Sequence, residues 1–284
     1  MSAIPRLRPS FVLQPDFAMC HFQTSMRDGS NRPKQGRHGS PDIPSNMSYA
    51  LRMAGSWTYR PWARGSAIEL GHLAAAQPAV LACHVHPDVQ VAAVTEGWRM
   101  YITAFGEFRA VAGDIVVIPG GVPHASYGGA GSIVSHLYVP GDHAAVSGIS
   151  RPHCIRHSRA TLPDEMLDAL GSSDQRPKDR ALPARCAALT ELVSCEDLDI
   201  RTIAARQGRS TDGFIRVFKR QVGMTPAAYR LALRLASARS QLKRGDAVAD
   251  VAYAGSFSDQ SHLGRLFRRA YGATPAAYRS AFAD

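Results

Sequence analysis

The chain has 284 residues, which suits two domains of ordinary size, and its 45% hydrophobic content can fill their cores. No stretch reaches the ~18 apolar residues of a membrane span, and no apolar run follows Arg6 and Arg8, which argues against a secretion signal and for the cytoplasm. The net charge of +10 is uneven: 16 Lys/Arg stand against 9 Asp/Glu from Pro183 onward, and 17 against 14 before it. A basic C-terminal third attracts polyanions. Five scattered cysteines (Cys20, Cys83, Cys154, Cys186 and Cys195) form no CxxC pair. Reduced thiols are therefore expected, and a zinc ribbon is excluded.

Residues 1–46 are rich in Pro, Gly, Ser, Asn and Arg without any sustained period, and are expected to be poorly ordered. A translation start at Met47 stays open. From about 55 to 140 the pattern is of short strands, among them Val89–Thr95, Trp98–Thr103 and Asp114–Ile118. Gly97, Gly106, Gly113, Pro119, Gly120 and Gly121 punctuate them, which predicts a sandwich or barrel over residues 47–150. A linker region is expected over 151–182, with a short helix at Leu162–Leu170, and a helical domain over 183–284.

Two tracts of the first domain carry chemistry. One is Cys83-His84-Val85-His86-Pro87-Asp88-Val89-Gln90. The other runs from Gly113-Asp114-Ile115 through Pro119-Gly120-Gly121-Val122-Pro123 to His124. Strand alternation would put His84, His86 and Gln90 on one face, with His124 able to meet them. The tracts resemble the two motifs of cupin barrels, which implies an all-β cupin-like domain. Metal-binding cupins usually have Glu where this chain has Gln90, a neutral and poorer ligand, and the second motif ends on Gly128 in place of Asn. The expectation is therefore an effector pocket of His84, His86, Gln90 and His124, with no metal, no cofactor and no catalytic residue.

The strongest signal is a repeat offset by 49 residues. Phe214-Ile215-Arg216-Val217-Phe218-Lys219-Arg220, followed by Gly223-Met224-Thr225-Pro226-Ala227-Ala228-Tyr229-Arg230, returns as Leu263-Gly264-Arg265-Leu266-Phe267-Arg268-Arg269, followed by Gly272-Ala273-Thr274-Pro275-Ala276-Ala277-Tyr278-Arg279. Thr225 and Thr274 suit a helix N-cap, Pro226 and Pro275 its first turn, and Gly223 and Gly272 the end of the helix before. Shorter helices are predicted at Ile200–Arg206 and Val248–Ala254, with tight turns at Gly208 and at Gly255-Ser256. Ser210 and Ser258 are candidate caps of the helices that follow. Short helix, tight turn and longer basic helix, twice over, is the helix-turn-helix pattern. A helix over Ala227–Lys243 would join the two units.

In each longer helix one stripe is apolar and the opposite face is basic. Asp212, Ile215 and Arg216, and in the second unit Gln260, Ser261, His262 and Arg265, are placed to meet base edges. Ser210, Lys219, Arg220, Ser258, Arg268 and Arg269 are assigned to phosphates. Residues from about Leu198 to Arg279, with the tract Val251–Leu263 above all, resemble the DNA-binding domain of AraC-type transcription regulators. That family usually has Gly where this chain has Ser256. The resemblance implies sequence-specific binding of double-stranded DNA, recruitment of RNA polymerase, usually as an activator, and response to a small-molecule effector held by a cupin-like domain. A homodimer is compatible but not required, because one chain already carries two reading heads. Two other readings remain: a metal-dependent cupin enzyme, an oxygenase or isomerase with an accessory helical part, and a non-specific nucleic-acid scaffold.

Overall fold

In the computed structural model, residues 55–172, 184–194 and 198–283 are described. The expected N-terminal segment 1–46 lies outside them.

Ten strands come first: β1 (Gly55–Pro61), β2 (Glu69–Ala75), β3 (Ala79–His84), β4 (Val89–Glu96), β5 (Trp98–Thr103), β6 (Gly106–Val111), β7 (Ile115–Ile118), β8 (His124–Gly128), β9 (Ser132–Val139) and β10 (His153–Ile155). They form two antiparallel sheets, of order β1-β2-β9-β4-β7-β10 and β3-β8-β5-β6. The inner faces enclose a core of Leu73, Ala92, Val116 and Val134 from the larger sheet and Tyr101 and Ala110 from the smaller. Alternation is clean in β2 and in the first half of β9, where Ser132, Val134 and His136 point inward. It fails in β4, whose first six residues are all buried. The reason is a second layer: helix α1 (Pro163–Ser172) sets Met166 and Leu170 against Val89, Val91 and Ala93 on the outer face. Strand β10, at His153–Ile155, extends the larger sheet beyond the expected end of the domain at residue 150.

The alternation expected to align His84, His86 and Gln90 on one strand is not what forms. His84 ends β3 in one sheet, Gln90 lies in β4 of the other, and His86 sits between them. Pro87 has no N–H for a ladder, so the chain turns there and crosses from sheet to sheet. The loop of the second tract presses on this crossing. A Cβ on Gly120 would lie 1.9 Å from the Pro87 carbonyl oxygen, and Gly121 N–H donates to the His86 carbonyl at 2.8 Å. Only glycine admits that approach.

The helical half comprises α2 (Ala184–Ser194), α3 (Ile200–Arg206), α4 (Thr211–Val222), α5 (Pro226–Lys243), α6 (Val248–Ala254), α7 (Gln260–Tyr271) and α8 (Pro275–Ser280). The two short helices have the predicted bounds. No helix among the described residues is long and apolar enough to cross a membrane. Cys83, Cys154 and Cys186 carry thiols.

Both halves fall in one compact unit, and a buried polar knot joins them. Arg239 of α5 is 3% exposed and donates to Glu69 of β2 at 2.5 Å. Tyr278 O–H donates to the other Glu69 oxygen at 2.8 Å, and Lys243 lies 3.5 Å from it. The Arg239 guanidinium stands over the rings of Tyr138 (4.2 Å), Tyr271 (5.3 Å), Tyr278 (5.4 Å) and Tyr59 (5.8 Å). Burial opposes its charge, but Glu69 and the tyrosines hold its pKa well above the ordinary value. Tyr59 O–H donates to the Tyr271 carbonyl at 2.5 Å, and Tyr271 O–H to the Val85 carbonyl at 3.1 Å.

Removing one partner of a buried pair strands the other charge, at a cost of about 3–5 kcal/mol. Glu69→Gln is therefore expected to lower stability by that order in denaturant titration. Glu69→Leu combined with Arg239→Leu is expected to lose clearly less than the sum of the two single changes. An additive double variant would show that the pair is not coupled.

Candidate nucleic-acid interface and sensor site

Each helix-turn-helix unit is built from local capping. Asp199 begins α3 by accepting from Thr202 N–H, and Ser210 begins α4 by accepting from Gly213 N–H at 3.1 Å. Thr225 and Thr274 cap α5 and α8 through Ala228 and Ala277 N–H, with proline in the first turn, as the sequence predicts. Gly223 and Gly272 close α4 and α7 in the left-handed region.

One expected cap is wrong by a residue. The N-cap of α7 is Asp259, whose carboxylate accepts from His262 N–H at 2.6 Å, and Ser258 stands outside the helix. A carboxylate at a helix N-terminus satisfies an N–H and meets the positive end of the helix dipole, so it outcompetes the neighbouring hydroxyl.

The two turns differ in how they reach positive φ. The first uses Gly208, at +63°. In the second Gly255 stays at −81° and Ser256 takes +54°. A non-glycine residue there costs about 1–2 kcal/mol. Ser256→Gly is expected to stabilise the protein by about 1 kcal/mol in denaturant titration, and an unchanged midpoint would contradict the strain argument.

The apolar stripes are core: Phe214, Phe218, Leu263 and Phe267 are fully buried. Of the residues expected to read bases, Asp212, Arg216, Gln260, Ser261 and Arg265 are exposed, while Ile215 and His262 are half-buried. His262 Nδ1 accepts from Ser258 N–H at 3.3 Å and its ring packs on Phe257, which holds it within the turn. Among the residues expected at phosphates, Ser210, Arg220, Ser258, Arg268 and Arg269 are exposed and Lys219 is half-buried. The Ser210 hydroxyl is already engaged as a cap.

The other site lies inside the β domain. His84, His86, Gln90 and His124 are each 3% exposed or less, and the structure brings all four together. The ligand nitrogens of the three histidines lie within 4.8 Å of one another. Burial lowers the pKa of each, aided by mutual repulsion for His84 and His86, and His124 is lowered to about 4. The imidazoles are therefore neutral. Each Nδ1 faces a backbone carbonyl: Ala82 at 2.8 Å for His84, Asp88 at 2.7 Å for His86 and Val122 at 2.9 Å for His124. A carbonyl only accepts, so Nδ1 carries the proton and each Nε2 keeps a lone pair.

The Gln90 amide meets this array. Its Oε1 lies 2.9 Å from His86 Nε2 and 3.0 Å from His124 Nε2, and its Nε2 lies 3.0 Å from His136 Nδ1. Two arrangements satisfy that geometry. With the NH2 turned inward, Gln90 donates to both imidazoles and its oxygen accepts from His136 Nδ1–H. With the oxygen inward, it joins the lone pairs around a cation and its NH2 donates to His136. Histidines that donate Nδ1–H to carbonyls are oriented as metal ligands are. The donor set of His84, His86, His124 and Gln90 thus fits a divalent transition metal ion. Bonds of ~2.1 Å place ligand atoms at most ~4.2 Å apart, so the rings would close by a few tenths of an ångström.

Helix α7 closes over this cluster. The ring of Tyr271 meets His84 edge-on, at 5.3 Å between centroids. Sequence reasoning missed Tyr271, Tyr278, Arg239 and Glu69. Arg239 left one trace, a charge on the same face of α5 as Leu235 and Leu242.

Residues 203–281 match the family of helix-turn-helix domains. No curated protein sequence matches the chain. Among solved structures, ToxT from Vibrio cholerae O395 aligns over 81% of this chain and 99% of its own at 10% identity and a TM-score of 0.49. A transcriptional regulator with an AraC-type DNA-binding domain from Chromobacterium violaceum aligns over 36% of this chain and 93% of its own at 29% identity and a TM-score of 0.31. A probable AraC family transcriptional regulator from Rhodopseudomonas palustris covers 36% of this chain and 99% of its own, at 23% identity and a TM-score of 0.33. Behind an all-β domain, the two capped units in tandem thus form a helix-turn-helix domain over residues 203–281.

Proposed function

We propose that this regulator reads a bipartite DNA site with the exposed N-terminal turns of α4 and α7, under the control of an effector bound in the β domain. The observation that carries the reading is the recurrence of one device: a capped helix with a buried aromatic stripe and an exposed basic face, presented twice on the ends of a single rigid helix. A merely solvated face gives no reason for the same cap, turn and charge pattern to return after 49 residues. Helix α5, of 18 residues, spans about 27 Å and fixes the spacing of the units. Arg216 and Arg265 are the best placed to bond guanine, and Gln260 to bond adenine. Arg220, Arg268 and Arg269 serve phosphates. Recruitment of RNA polymerase, a cytoplasmic location and any homodimer belong to the same proposal.

The sensor half of the reading rests on contact. The pocket residue His84 touches Tyr271 of the second reading helix, and Tyr271 also bonds to Val85 next in the chain. A ligand that moves His84 therefore changes how α7 docks, which is the differential contact that a population shift requires. The closure of the cluster by Tyr271 favours a sensor over a catalytic metal site, because a substrate would have to displace the DNA-binding half to enter.

Binding of the purified full chain to a fragment from its own gene neighbourhood, against a scrambled fragment at ~150 mM salt, tests the DNA reading. A preference of ~10³ or more is expected. Arg216→Ala and Arg265→Ala are each expected to cost about 1–3 kcal/mol on the native fragment and little on the scrambled one. Equal binding to both fragments, or equal losses on both, would contradict base reading.

A further inference from the structure

The interior of the β domain holds a cation with no counter-charge. Arg99 of β5 is fully buried, at 0% exposure. Its Nε and Nη2 both donate to Ser126 Oγ, at 3.2 and 2.8 Å, and no carboxylate pairs with it among the described residues. A guanidinium does not give up its proton in proteins. Removing one from water without an anion is among the most expensive things a core can do. The guanidinium also stands over the face of Trp57, 5.6 Å away.

Other buried polar atoms of the same two-sheet interior are unsatisfied too. The buried atoms without a hydrogen-bond partner include Arg99 Nη1, Tyr101 Oη, Ser132 Oγ and His136 Nε2. Arg99 and Tyr101 alternate inward on β5, and Ser132 and His136 on β9 of the facing sheet. Gly128 lies between two of them: a Cβ there would lie 2.8 Å from the Trp98 carbonyl oxygen, 3.2 Å from Ser132 Oγ and 3.4 Å from Arg99 Nη1, so the absence of a side chain is what lets these groups approach. Native cores leave few such atoms unpaired, so Arg99 Nη1 and three further atoms of the same interior call for a missing partner.

We infer that Arg99, Tyr101, Ser132 and His136 form a binding site for a carboxylate, and that the effector is a small carboxylic acid held as its anion. A guanidinium edge matches a planar carboxylate, and the two hydroxyls supply further donors. One cation with neutral neighbours balances a single negative charge, which disfavours phosphate. The inference deepens the sensor reading above but stands on separate residues. It also supplies a second route to the DNA-binding half. The Trp57 ring covers Arg99 and lies 5.1 Å from that of His136, and it also meets the end of α7, where a Cβ on Gly272 would lie 2.2 Å from Trp57 Cδ1. A ligand that reseats Trp57 reseats the end of the second reading helix.

Acetate is the smallest probe that carries the group. Thermal unfolding of the full chain is followed in ~50 mM acetate, chloride or phosphate at matched ionic strength. Acetate is expected to raise the midpoint by about 3 °C over chloride, and phosphate is expected not to. Arg99→Met is expected to abolish the acetate shift while unfolding in chloride no lower than the parent, because it removes an unbalanced buried charge. Tyr101→Phe, which keeps the ring, is expected to weaken acetate about tenfold. Equal protection by acetate and chloride would overturn the site, as would an acetate shift that survives both variants, or a large destabilisation by Arg99→Met in chloride. Protection by acetate without any change in DNA affinity would leave the site intact and sink its role as a sensor.

Discussion

Docking of the reading heads on the β domain depends on one ion pair closed inside a tyrosine cage. Arg239 comes from the last third of the spacer helix and Glu69 from the second strand, and both are taken out of water. Such a pair rarely adds net stability over an apolar contact. What it adds is position. The carboxylate accepts from Arg239 and Tyr278 and lies near Lys243, which fixes the spacer helix and the last helix against one strand. The four rings around the guanidinium come from both halves of the chain, so neither half can shift without unstacking the other.

That arrangement is the physical basis of the control proposed for the helix-turn-helix domain. Both reading helices end against the β domain: Gly272 meets Trp57, and a Cβ on Gly223 would lie 3.4 Å from Ala104. Their N-terminal turns carry the exposed polar residues. In the proposed reading, the end that meets DNA and the end that meets the sensor are thus opposite ends of the same rigid element. Under that proposal, a small displacement at the barrel would become a change in spacing or tilt at the bases, to which a bipartite reader is sensitive.

The helical half was legible in the sequence because its determinants are local. Caps, turn residues and an apolar period sit within four residues of what they fix, and the 49-residue repeat checked each against its copy. Even there Asp259 displaced Ser258, since adjacent candidate caps differ by charge rather than by pattern. The β half was legible as strands and turns but not as a site. His84, His86 and Gln90 converge across two sheets, not along one strand, because Pro87 turns the chain. Arg99 and Tyr101 sit in an alternation whose apolar phase is Trp98, Met100 and Ile102, so the pattern alone would turn them outward. Glu69 and Arg239 are 170 residues apart, and no local rule joins them.

Footprinting of the full chain on its own upstream DNA tests the central claim, that one chain reads two half-sites through two helices held at a fixed spacing. The account predicts two protected patches on one face of the duplex, about 10 bp apart between centres. It also predicts that Arg265→Ala removes one patch and leaves the other. A single continuous patch, or the loss of both patches together, would contradict it.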